Sequence, residues 1–188
     1  METNTTFRRI VTGHNSDGKA IIVSDEVPTR TYMVGGPNGA KFHEVWNTKQ
    51  TPALIDSISK DPEENGLILG PPKHGTRIRV IDFPPEGDEI RNLTQEQALE
   101  HFKTMSGEQA SKAGGNAPHP LMHKTETVDY GIVLDGELTL IVDEDETTAK
   151  AGDIIVQRGT NHAWSNRSGK VCRVVFILID GQFEENLR

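Results

Sequence analysis

Cysteine is nearly absent: 188 residues carry one, Cys172, which excludes an internal disulfide framework. Its setting, Val171-Cys172-Arg173-Val174-Val175-Phe176, reads as a partly buried small apolar residue rather than a catalytic thiol. Basic charge is also short. Twenty Lys and Arg against 28 Asp and Glu leave a net charge of −8, which argues against nucleic acid or an anionic membrane as partner, since both attract basic surfaces. No apolar run approaches the length needed to cross a bilayer, and Met1 to Arg9 holds no apolar stretch of the kind a secretory signal needs. A cytoplasmic location is the expectation. Without a signal, the acceptor-like triplets starting at Asn4, Asn92 and Asn166 carry no weight as glycosylation sites.

What is present is a succession of short β-type runs punctuated by glycine and proline. The clearest are residues 20–23, 42–46, 77–83, 130–134, 138–142, 153–156 and 171–179, a spacing that predicts an antiparallel sandwich or barrel. The alternation of Leu138, Leu140 and Val142 with Thr139 and Ile141 suits a strand with one face in the core. Asp143 to Glu146 reads as a solvated hairpin turn, because four adjacent carboxylates on a tight turn cannot all face one cation. One helix is predicted over residues 94–105. Thr94 and Gln97 have capping-box spacing, and Ala98, Leu99, Phe102 and Met105 form its apolar stripe. This insertion, about residues 90–117, either folds over the barrel mouth or packs outside it. The segment from Pro52 to Pro72 reads as a connection with a short helix or none, and His14 as an exposed turn residue.

The chemistry lies between Met122 and Asn166. The first block, Met122-His123-Lys124-Thr125-Glu126-Thr127-Val128-Asp129, continues to Gly136, and the second runs from Gly152 through Arg158-Gly159-Thr160-Asn161-His162 to Asn166. The pair resembles the two motifs of the cupin superfamily: His-x-His, a spacer, Glu, six residues, Gly; then Gly, five residues, Pro-x-Gly, two residues, His, three residues, Asn. His123 takes the first histidine position, Thr125 the second, Asp129 the glutamate position, and Gly136 follows Asp129 by the required six residues. His162 and Asn166 keep their spacing, while Arg158-Gly159 replaces Pro-x-Gly and shortens the segment by one residue.

The resemblance implies an all-β fold, the double-stranded β-helix or jelly-roll barrel, over residues 71–188, with residues 1–70 as an N-terminal β extension packed on it. It implies a homodimer and a small-molecule substrate. It also implies a divalent metal ion, Fe, Mn, Zn or Ni, held by His123, Asp129 and His162, the 2-His-1-carboxylate donor set that leaves positions open for substrate. His119 is the nearest candidate for a further donor, a surface loop histidine being the commoner outcome. The leading expectation is a metal-dependent enzyme of decarboxylase, dehydratase, isomerase or dioxygenase type acting on an oxygen-rich organic acid or phenolic metabolite. Thr125, Arg158 and Trp164 are its expected substrate contacts. Two alternatives stand beside it: metal-free catalysis by a His and Asp pair, as in an isomerase or cyclase, and a non-catalytic ligand-binding module.

Overall fold

The structure, a computed structural model, describes residues 6–56, 66–112, 114 and 116–187. Residues 57–65, within the predicted connection, lie outside the described residues.

The described chain is mostly β, and its strand pairs are all antiparallel. A hairpin of β1 (Arg9–His14) and β2 (Ala20–Glu26) stands apart from two larger sheets. The larger sheet has six strands: β3 (Thr31–Val34), β4 (Ala40–Thr48), β5 (Thr76–Phe83), β11 (Cys172–Asp180), β6 (Thr127–Asp135) and β9 (Ile154–Arg158), in that spatial order. The smaller sheet places β7 (Glu137–Val142) between β10 (His162–Ser165) and β8 (Glu146–Lys150). Strands β3 and β4, from the segment read as an N-terminal extension, are thus strands of the larger sheet. The two sheets face each other as an open barrel, with Leu138 and Ala149 of the smaller packed in one cluster with Phe42, Val133, Val174 and Phe176 of the larger.

Local chemistry sets the turns. Gly136, the motif glycine, sits between β6 and β7 at φ +77°, and a Cβ there would meet Val171 O at 2.9 Å, so only glycine closes this hairpin without strain. Asn166, the last motif residue, is a loop tie. Its Nδ2 donates to Phe83 O and Lys170 O at 2.8 and 2.7 Å, and its Oδ1 accepts from Ser168 N at 3.0 Å. Cys172 is fully buried and burial pushes its thiol up to about 12, so it packs as an inert apolar residue. His14 is exposed, and Asp143 to Asp145 form an exposed turn.

Strand β7 departs from the predicted alternation. Leu138, Thr139 and Ile141 are all buried, because Leu138 enters the main core while Ile141 joins Met122 and Ala163 in a second cluster. A strand covered on both faces carries no clean period of two.

The insertion forms α1 (Asp88–Arg91) and α2 (Gln95–Lys103). Thr94 closes the capping box: its Oγ1 accepts from Gln97 N at 3.2 Å, and Gln97 Oε1 accepts from Thr94 N at 2.8 Å. Thr94→Ala removes the first of these bonds and is expected to cost about 1 kcal/mol, read as a lowered denaturation midpoint with unchanged slope. The buried stripe is not the predicted one. Ala98, Phe102 and Met105 are buried, but Leu99 is 38% exposed, and His101 turns inward in its place.

Candidate functional site

A cavity of about 380 Å³ opens between the sheets, and α2 closes part of it. Its walls are apolar and aromatic, with Phe42, Phe83, Phe102, Trp164, Phe176 and Leu178 prominent. Polar groups gather on its floor: His123, Thr125, Asp129 and His162, with Arg79 beside them.

The backbone places these groups. His123 lies outside any named strand but bridges β10: its N–H donates to His162 O at 2.8 Å, and His162 N–H donates back to His123 O at 2.9 Å. The chain then crosses to the larger sheet at a bend around the exposed Glu126 and enters β6, where alternation turns Asp129 inward and Tyr130 outward. The reciprocal bonds bring the two imidazoles together, with ring centres 4.1 Å apart. Phe102 packs on His123 at 5.2 Å, and Trp164 meets His162 edge-on at 5.4 Å.

Burial sets the protonation states. Desolvation holds His123 down to about 4 and His162 well below the usual histidine range, so both are neutral at pH 7. Desolvation raises Asp129 to about 6, against a hydrogen bond from Thr127 and the field of Arg79, and its Oδ1 has no hydrogen-bond partner. Thr125 Oγ1 and Thr127 Oγ1 are 2.9 Å apart, so Thr125, Thr127 and Asp129 make a polar line along the floor.

The two histidines are anchored differently. His123 Nδ1 donates to Leu121 O at 3.0 Å; a carbonyl only accepts, so the proton sits on Nδ1 and Nε2 keeps its lone pair. His162 Nδ1 lies between an acceptor, Thr160 O at 2.9 Å, and a donor, Gln157 Nε2 at 2.6 Å. Gln157 is itself oriented by Gly159 N, which donates to its Oε1 at 2.6 Å. With the proton on Nε2, Nδ1 accepts from Gln157; with the proton on Nδ1, it donates to Thr160 O, faces the Gln157 N–H, and leaves Nε2 as an acceptor.

Not every residue expected from the sequence reaches the cavity. Thr125 and Trp164 line it; Arg158 does not. It is exposed on β9, because the alternation that buries Gln157 turns its neighbour outward. His119 is neither a surface residue nor a spare donor. It is buried, its Nδ1 accepts from Leu121 N at 3.1 Å, and its Nε2 meets Glu86 Oε2 at 3.0 Å, so both nitrogens are engaged.

Three residues escaped the sequence reading. Gln157 was passed over as a strand residue, and its spacing of five from His162 is its only signal. His101 sits at i+3 from Ala98, a position that a helix shares with its buried face. Arg79 is 2% exposed, paired with Glu44 at 3.0 Å.

The donor set also bears on the implied metal. His123 and His162 suit a pair of ligands on one ion, but among the described residues no three His, Cys, Asp or Glu side chains are grouped to hold one. Asp129 accepts from Thr127, and its Oδ1 has no hydrogen-bond partner. The residues present offer two imidazole ligands and no three-donor centre among the described residues.

Residues 107–178 match the family model described as a Cupin domain. Phomopsin biosynthesis cluster protein C' of Diaporthe leptostromiformis is 29% identical over 186 residues, covering 94% of this chain and 80% of its own. The cupin-domain-containing oxidoreductase virC of Hypocrea virens is 29% identical over 181 residues, covering 92% of this chain and 75% of its own. Among solved structures, the Schizosaccharomyces pombe Cnp3 cupin domain aligns with a TM-score of 0.45 at 9% identity, over 92% of this chain and 87% of that one. No helix among the described residues is long and apolar enough to cross a membrane. The segment that matches the cupin domain, residues 107–178, carries His123, Asp129 and His162 and all strands of the smaller sheet.

Proposed function

We propose that the protein is a small-molecule enzyme that relocates a proton on a largely apolar, ring-bearing substrate with a carbonyl or phenolic oxygen, an isomerisation or cyclisation passing through an enol. The relatives' names, one a biosynthesis cluster protein and one an oxidoreductase, favour a biosynthetic small molecule. The cavity walls refine the expected oxygen-rich acid to a substrate that is mostly hydrocarbon, since each unpaired polar group placed against them would cost about 1–3 kcal/mol.

The seat of His162 Nδ1 between Thr160 O and Gln157 Nε2 carries this reading. With its proton on Nδ1, His162 presents a bare Nε2 that takes a proton from a carbon next to the substrate carbonyl. The resulting imidazolium is steadied by Thr160 O. Asp129, protonated below about pH 6, returns a proton at a second substrate atom. Solvent then carries the proton from His162 back to Asp129. His123, fixed with its lone pair toward the cavity, orients a substrate hydroxyl by accepting its hydrogen bond.

A second reading rests on the pairing of His123 and His162. Cupin domains commonly bind metal ions, and a divalent ion on these imidazoles would polarise the same substrate oxygen as a Lewis acid. The probe 2-tetralone in D2O, followed by proton NMR, separates the two. Proton transfer predicts enzyme-accelerated exchange at the carbons flanking its carbonyl, unchanged by EDTA and slowed about a hundredfold or more in His162→Ala. Exchange abolished by EDTA and restored by Fe(II), Mn(II), Zn(II) or Ni(II) establishes the metal reading instead. Exchange no faster than buffer in either condition refutes both.

A further inference from the structure

We infer that His101 is a specificity-determining residue that receives a second polar group of the substrate, so that the cavity selects ring compounds bearing an oxygen function at both ends. This rests on the cavity being the substrate site and adds a second recognition point to it.

Helix α2 turns Ala98, His101 and Phe102 inward, Met105 follows just past its end, and His101, Phe102 and Met105 line the cavity. The other three are apolar and packed, as a helix face over a core requires. His101 breaks the pattern. His101 is half-buried, its ring on the cavity wall, whereas the other imidazoles of this region meet protein partners through Leu121 O, Thr160 O, Gln157 and Glu86. Among the described residues, neither ring nitrogen of His101 has a hydrogen-bond partner; its ring contact is with Phe102. Burial lowers its basicity, so the neutral ring offers one donor and one acceptor.

Its position separates it from the floor. Phe102 contacts both rings, its centre 5.7 Å from His101 and 5.2 Å from His123. On the far side, His101 lies against Gly35 at the end of β3. Gly35 has φ +86°, and a Cβ there would come within 3.4 Å of His101 Cε1 and 3.6 Å of Nδ1. Asp129 belongs to β6, with β4, β5 and β11 between β6 and β3. The cavity therefore has a polar floor and, at the α2 end, His101, with phenyl and alkyl walls; Asn38, Glu86, Glu89 and Asn166 also line it. A ligand with oxygen at one end leaves His101 unmatched, while a two-ended ligand satisfies both.

Calorimetric titration with naphthalene, 2-naphthol and 2,6-dihydroxynaphthalene tests this. Wild type is expected to bind the diol about tenfold more tightly than 2-naphthol, the scale of one well-placed hydrogen bond. His101→Phe should remove that preference and leave 2-naphthol binding intact, while His101→Gln should restore part of it. His101→Ala, which removes the ring without adding bulk, carries the same expectation as His101→Phe. Equal affinities in wild type, or a diol preference that survives in both His101→Phe and His101→Ala, would overturn the assignment. If 2-naphthol does not bind wild type at all, the cavity reading falls and this inference with it; if it binds without discrimination, only the role of His101 falls.

Discussion

Asp129→Asn will make the protein more stable above pH 6 and leave its stability unchanged below pH 4. The carboxyl is 7% exposed, its Oδ1 has no hydrogen-bond partner, and desolvation lifts it from the usual 3.8 to about 6 against the opposing pull of Thr127 and Arg79. The folded protein thus holds this proton more tightly than the unfolded chain does. Its contribution to stability is fully present below the unfolded value and is lost as the pH rises through 6. Once both states are ionised the gap amounts to up to ~3 kcal/mol, which the neutral amide avoids. His123 and His162 act in the opposite direction. Their folded values lie below the ordinary 6.5, so the unfolded chain takes up protons that the fold refuses, and stability falls as the pH drops from 6.5 through about 4. In wild type the two trends oppose each other across this window; in Asp129→Asn the histidine loss stands alone and the acid side steepens. Thermal melts at pH 4, 6 and 8 read this directly, and a variant less stable than wild type at pH 8 would refute the account. The same substitution should slow 2-tetralone exchange, so that stability rises as activity falls.

The parts of this architecture that depend on near neighbours were legible in the sequence. Thr94 and Gln97 announce the start of α2 because a capping box is complete within four residues. Alternation places Asp129 inward and Tyr130 outward, and puts His162 and Trp164 on one face. The misreadings share a physical cause. A hydropathy scale draws the stripe of α2 through Leu99, but the cavity rewards a polar group there, and His101 faces inward. Within the run 77–83, nothing local in the sequence signals the burial of Arg77 and Arg79. They are 1% and 2% exposed, because Glu44 on the adjacent β4 lies opposite Arg79, a pairing of residues far apart in the sequence. The seat of His162 was hidden in the same way: Gln157 belongs to β9 in one sheet and His162 to β10 in the other.

That carboxylate sets the second large effect: Glu44→Gln is expected to destabilise the protein by about 3–5 kcal/mol, as is typical when one member of a buried ion cluster loses its charge. Glu44 Oε2 meets Arg77 Nη1 at 2.6 Å, and Oε1 meets Arg79 Nε at 3.0 Å, all within side chains no more than 2% exposed. Amide for carboxylate keeps the shape but leaves two guanidiniums without their shared counter-charge in a site that water does not reach. The cost extends beyond the pair. Arg77 Nε donates to Gly70 O at 2.9 Å and Arg79 Nη2 to Ile68 O at 2.6 Å, so the cluster also fixes the segment that carries Leu67 and Leu69 into the core and Leu69 to the cavity wall. An electrostatic consequence should follow at the floor. Arg79 lowers the proton affinity of Asp129, and Glu44 offsets part of that field. In Glu44→Gln the positive field is less balanced, and Asp129 should titrate lower than in wild type. Urea melts give the stability change, and carbon-13 NMR of the Asp129 carboxyl gives its titration. A midpoint and a titration both unchanged would show that Glu44 neither holds the arginines nor tunes the acid they face.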